Sequence, residues 1–216
     1  MPGGGAAAGG VPPFQAGANV RASFAAGALY AVDSGEGWVY YAQVAPTRDF
    51  GFFRFRSRTT SESAAALASG LMCRIGVDYR SVGEALRTGK WLKLGKTGLH
   101  PELRRPNVYV QWPIGTHEVT VWTVKAVEIS RRRSIETYET VIDDPAIQDF
   151  EVAASWHAVH HIPERLKADF GAELAAWYVG GPVWRARRVA AEIARRHPDQ
   201  AIHQHQKRTA MLRPDH

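Results

Sequence analysis

"ALYAVDSGEGWVYYAQVA", residues 28–45, holds two apolar, aromatic-rich runs on either side of the turn-forming stretch DSGEG. Short β-compatible runs around a Gly- and Asp-containing turn read as a β-hairpin. The next run, GFFRFRSR at 51–58, places Phe53 and Phe55 on one side and Arg54, Arg56 and Arg58 on the other. That period of two is the pattern of a half-buried strand. Its alternative, an aromatic and arginine platform for nucleic acid, explains the alternation no better. The same reasoning gives strands at LMCRIGVDY (71–79), KWLKLG (90–95), NVYVQW (107–112) and HEVTVWTV (117–124), with PIGT (113–116) as a turn between the last two.

Two helices interrupt this series. SESAAALASG (61–70) is capped by Ser61 or Ser63 and ended by Gly70, and SVGEALRTG (81–89) is bounded by Ser81 and Gly89. KAVEISRRRSIETYETVID (125–143) alternates like a hairpin with RRR near its bend, and its glutamates also suit a helix. From Asp144 helix dominates, and PVWRARRVAAEIARRH (182–197) is the longest helical segment, punctuated by Pro182 and Pro198. The expected class is α+β. Six or seven strands form one strongly twisted antiparallel sheet or partly closed barrel with short inserted helices, followed by C-terminal helices.

Composition narrows the function classes. With 45% hydrophobic residues among 216, the chain has enough apolar side chains for a real core. No apolar run reaches the roughly 18 residues of a membrane span, and the Gly/Ala/Pro leader lacks the charged and apolar regions of a signal peptide. The single cysteine, Cys73, forms no internal disulfide and sits in an apolar run as a core residue. A cytoplasmic location follows as the expectation. The net charge of +6 is concentrated at the end, where eight basic residues stand against three acidic ones from Pro182 onward.

Reactive motifs are missing. There is no nucleophile elbow and no dinucleotide-binding glycine motif, and LGKTG (94–98) has Lys90 where a phosphate loop needs its first glycine. His157, His160 and His161 crowd into SWHAVHHIPERL, but Pro163 belongs in a first helical turn. The helix therefore starts at His161 or Ile162, and the three imidazoles fall in a bend with no His-Glu-x-x-His arrangement. Neither metal nor cofactor is expected. The arginines of the last helix, Arg185, Arg187, Arg188, Arg195 and Arg196, suit phosphates, an acidic surface or an anionic membrane. The simplest arrangement docks Trp184 and Ile193 on the domain and leaves these arginines in water.

The order of four segments resembles the immunity protein 26 family of bacterial polymorphic toxin systems. ALYAVDSGEGWVYYAQVAP is similar to the family's opening hairpin, and FGFFRFRSR to its Phe-Phe strand. KWLKLGKTGLHPELRRP is similar to its tryptophan strand and Leu–Pro stretch, and FEVAASWHAVHHIPERLKADF to its closing strand and helix. The likeness spans about Gly27 to Phe170. It divides the chain into a leader (1–18), a β-rich immunity-like domain (19–170) and a basic helical extension with a flexible tail (171–216). The extension departs from the family, whose members usually stop near that closing helix, and the basic charge departs from the many immunity proteins that are acidic and cover basic nucleases. The resemblance implies a non-enzymatic protein that binds and neutralises a cognate toxin. Residue type and position nominate Tyr40, Tyr41, Trp91, Arg104, Arg105 and Trp112 as partner anchors. The alternative is nucleic-acid binding through the basic C-terminal helix.

Overall fold

A computed structural model describes residues 14–16, 20–113, 115–127, 132–171 and 176–199. The leader up to 13 and the tail beyond 199 lie outside them. In chain order the elements are β1 (Ala28–Asp33), β2 (Val39–Val44), β3 (Phe50–Ser57), α1 (Ser63–Ala68), β4 (Leu71–Val77), α2 (Tyr79–Arg87) and β5 (Trp91–Lys96). They continue with β6 (Asn107–Gln111), β7 (Glu118–Val127), β8 (Arg132–Val141), β9 (Glu151–Val152), β10 (Ser155–Trp156), α3 (Ile162–Asp169) and α4 (Val183–Arg196). The protein is α+β.

The strands fall into two sheets, and one of them is the partly closed barrel expected. One is a six-stranded curled half-barrel in the order β10-β4-β3-β2-β1-β5, and the other runs β8-β7-β6-β9. β1 to β4 pair antiparallel in sequence, β5 pairs antiparallel with β1, and β6 to β8 pair antiparallel in sequence, while the short edge strands β10 and β9 pair parallel with β4 and β6, so both sheets are mixed. Contacts divide the chain accordingly. One unit holds the residues up to 105 with 155–171, and the second holds 106–154 with 176–199. This differs from a division at 170, because the chain leaves the half-barrel after Arg105 and returns to it at Ser155.

In the first unit β1 and β2 are buried along their whole length. Their runs are apolar at both parities, as in a sheet covered on both faces. Tyr30, Tyr40, Phe50, Phe52 and Trp91 build one core with residues of α2 and α3, and Leu29, Ala31, Tyr41 and Phe53 build a second on the opposite face. A Cβ on Gly51 would come within 2.5 Å of the Leu103 side chain, so that position needs glycine for close packing. The arginine side of β3 is not simply solvated. The Arg56 guanidinium lies 4.3 Å from the Trp38 ring centroid and 5.0 Å from that of Phe170.

Both inserted helices form, with different caps from those expected. Asp78 rather than Ser81 caps α2, its carboxylate accepting from the Arg80 and Ser81 backbone N–H groups. A 3-10 turn over Thr60–Glu62 leads into α1, so neither Ser61 nor Ser63 caps it, and Ser69 rather than Gly70 ends it. Gly89 closes α2 with φ at +69°, a conformation that favours glycine.

The histidine stretch is a structural junction. The backbone N–H of Ala158 donates to Ser81 Oγ at 2.8 Å, and Trp91 Nε1 donates to the Ala158 carbonyl at 3.2 Å. α3 then begins at Ile162 with Pro163 in its first turn, so the three imidazoles occupy the preceding bend. His157 and His160 stack at 4.6 Å, and His161 Nδ1 accepts from the His157 N–H. Among the described residues no group of three or more His, Cys, Asp or Glu side chains is placed to hold a metal ion.

In the second unit β7 and β8 form the long hairpin, whose bend at 128–131 lies outside the described residues. Val110, Val119, Val121, Ile142, Ile147 and Val183 form its core. Among the described residues no helix is long and apolar enough to cross a membrane.

Candidate binding groove

Three of the nominated anchors are core residues. Tyr40, Tyr41 and Trp91 are each no more than 2% exposed, which removes them as surface anchors. The reason is the second covered face of the half-barrel, which a one-sided alternation does not anticipate. Burial pushes the phenols of Tyr40 and Tyr41 up, against the opposing effects of Arg56 on Tyr40 and of the Ser57 hydroxyl on Tyr41. Tyr41 spends its hydroxyl internally, donating to the Thr59 carbonyl at 2.7 Å. Arg104 and Arg105 are exposed at the end of a 3-10 turn in the first unit.

Trp112 instead meets the last helix, inside the second unit. Together with Ile142, Gln148, Trp184, Arg187 and Arg188 it lines an open groove of about 500 Å³, floored by alanines of α4. Local sequence explains the face. Pro182 sets the extended backbone at the start of α4. Trp184, Arg187, Arg188, Ala191 and Ala194 then recur at spacings of three and four, which puts them on one side of the helix. Val183, fully buried in the core, anchors the helix start, and Arg185 follows it inward at 8% exposure. This overturns the expected docking at Trp184, while Ile193 is half-buried. Trp184 remains 43% exposed because the position before it carries the buried contact.

The polar groups are held in place. Trp112 Nε1 donates to the Thr116 carbonyl at 3.0 Å. The Gln148 amide donates to the carbonyls of Ile142 and Asp144 at 2.9 and 2.7 Å, and its oxygen accepts from Arg187 at 2.9 Å. Asp144 caps the short turn beneath by accepting from the Ala146 N–H, and hydrogen bonds from Thr140 and Ala146 hold its carboxyl below the ordinary value. The Arg188 guanidinium lies 5.8 Å from the Trp184 ring centroid and has no acidic partner among the described residues. Among the described residues no acidic side chain lines the groove. The arrangement suits recognition: two indole faces, one oriented guanidinium and one exposed guanidinium on a rigid helix.

The remaining arginines are engaged elsewhere. Arg195 and Arg196 both donate to Glu192, at 2.7–2.8 Å, and Arg196 also lies 4.1 Å from the Trp177 ring centroid. Those hydrogen bonds lower the Glu192 pKa to about 2. Glu192 protonates near its ordinary value when unfolded. Its stabilisation is therefore fully present above about pH 4.5 and fades as pH falls toward 2. A carboxyl-detected NMR titration should place Glu192 well below the other glutamates, and a midpoint near 4.5 would show that the two arginines do not hold it.

Sequence reasoning nominated Trp112, Trp184, Arg187 and Arg188 for separate reasons and did not join them. It missed Gln148, whose only signal is a position after the Asp–Pro turn, and Ala191 and Ala194, which look like ordinary helix formers. Comparison of the chain with family models, curated proteins and solved structures finds no match.

Proposed function

We propose that the protein is a non-enzymatic, cytoplasmic immunity-type protein that binds a cognate bacterial toxin and blocks it by occupying its surface. The observation that carries this reading is the α4 groove, where an exposed Trp184 stands beside an exposed Arg188 on a braced helix. Trp and Arg are the residue types that most often dominate binding energy, and rigid support lowers the entropic cost of docking. The resemblance to the immunity protein 26 family supplies the class of partner. Nucleic-acid binding through α4 is the weaker reading, since Arg185 is buried and Arg195 and Arg196 are committed to Glu192.

Co-expression with toxins encoded beside the gene tests the proposal. The protein is expected to restore growth against one of them, and Trp184→Ala combined with Arg188→Glu should abolish protection without lowering the melting temperature. Failure to rescue against every neighbouring toxin would sink this reading.

A further inference from the structure

We infer that the α4 groove takes an acidic protein segment that presents a carboxylate next to an apolar side chain. The inference rests on reading the protein as a binding protein, and not on the partner being a toxin. The groove offers Arg187 and Arg188, with no acid in its lining among the described residues. Gln148 points the Arg187 guanidinium by a 2.9 Å hydrogen bond, while the exposed Arg188 has no acidic partner among the described residues. A carboxylate matches such a guanidinium in charge and in planar, two-pronged geometry. Beside them, Trp112, Trp184 and the short side chains of Ala191 and Ala194 line the same space and offer apolar surface to an apolar group. The volume of about 500 Å³ suits one or two side chains of a docked segment, in the helix- or strand-in-groove manner.

Charge selects among the occupants. The chain's own tail, 200–216, carries Lys207, Arg208 and Arg213 against Asp215, so it repels the groove. A second copy is disfavoured by the net charge of +6 on each chain. Nucleic acid needs a run of phosphate contacts, and among the described residues two guanidiniums line this groove.

Panning a random dodecapeptide phage library against the full-length protein, with Arg188→Glu protein as the subtracting target, tests the inference. Enriched peptides should carry Asp or Glu within four residues of Leu, Phe or Trp. Synthetic copies should bind wild-type protein and lose about tenfold or more in affinity to Arg188→Glu and to Trp184→Ala. They should bind normally to Arg104→Glu, which changes an exposed arginine of the other unit. No enrichment, enrichment without acidic residues, or affinity unchanged in both groove variants would overturn the inference. So would oligothymidylate binding the groove more tightly than the acidic peptides, with loss on Arg188→Glu. Peptide binding with no toxin rescue would remove the toxin reading alone, and rescue that survives the groove substitutions would remove the groove alone.

Discussion

Asp169→Ala is expected to destabilise the protein by about 3–5 kcal/mol, because it removes one member of a buried ion pair. Arg165 and Asp169 face each other one turn apart on α3, with Arg165 Nε to the carboxylate at 2.9–3.0 Å and side-chain exposures of 1% and 6%. The Arg165 guanidinium also lies 5.2 Å from the Trp156 ring centroid, so it cannot swing to water without unpacking the junction. Each kcal/mol moves the melting temperature by about 2–4 °C in a chain of this size, which makes the loss easy to read by calorimetry. Replacing both partners, Arg165→Met with Asp169→Leu, should recover much of it, since both charges of the pair then leave the interior. Glu164→Ala supplies the contrast. It removes a half-buried partner of Lys167, which keeps Glu36 at 2.8 Å, and should cost below about 1 kcal/mol. An Asp169→Ala protein as stable as the wild type would mean that the pair is open to solvent.

Trp91→Ala should cost a comparable amount, about 3–5 kcal/mol, for a different reason. The indole is 2% exposed, with Tyr30 and Phe50 ring centroids 5.8 and 5.6 Å away. Its Nε1 donates to the Ala158 carbonyl, which ties the half-barrel to the histidine bend. Trp91→Phe separates the two contributions. It keeps an aromatic ring but leaves that carbonyl without its donor, a loss of about 1–3 kcal/mol. Urea unfolding of the two variants measures both. A Phe variant as unstable as the Ala variant would assign the effect to the hydrogen bond instead of the packing.

Much of the architecture was legible in the chain. The hairpin of β1 and β2 follows from two apolar runs around DSGEG, and the β7–β8 hairpin follows from an alternation that held despite its glutamates. The start of α3 at Ile162 follows from where a proline is tolerated. The cap of α2 was less clear, because Asp78 and Ser81 are both good caps and only the backbone path chooses between them.

Local patterns settle the state of a segment because period and turn chemistry act over a few residues. Which strands share a sheet is not local. The chain pairs β10 with β4 and β9 with β6, partners about 40 to 80 residues apart in sequence, which no local pattern specifies. Burial is likewise a property of what covers a face. Tyr40, Tyr41 and Trp91 look like surface anchors in one dimension and are core because the half-barrel is packed on both sides. The groove shows the same dependence, since Trp112 and Gln148 come to α4 only through the second sheet and the turn beneath it. Residue type marked Trp112, Trp184, Arg187 and Arg188 as capable of recognition, and tertiary packing brought them to one surface by burying Val183 and turning Trp184 outward.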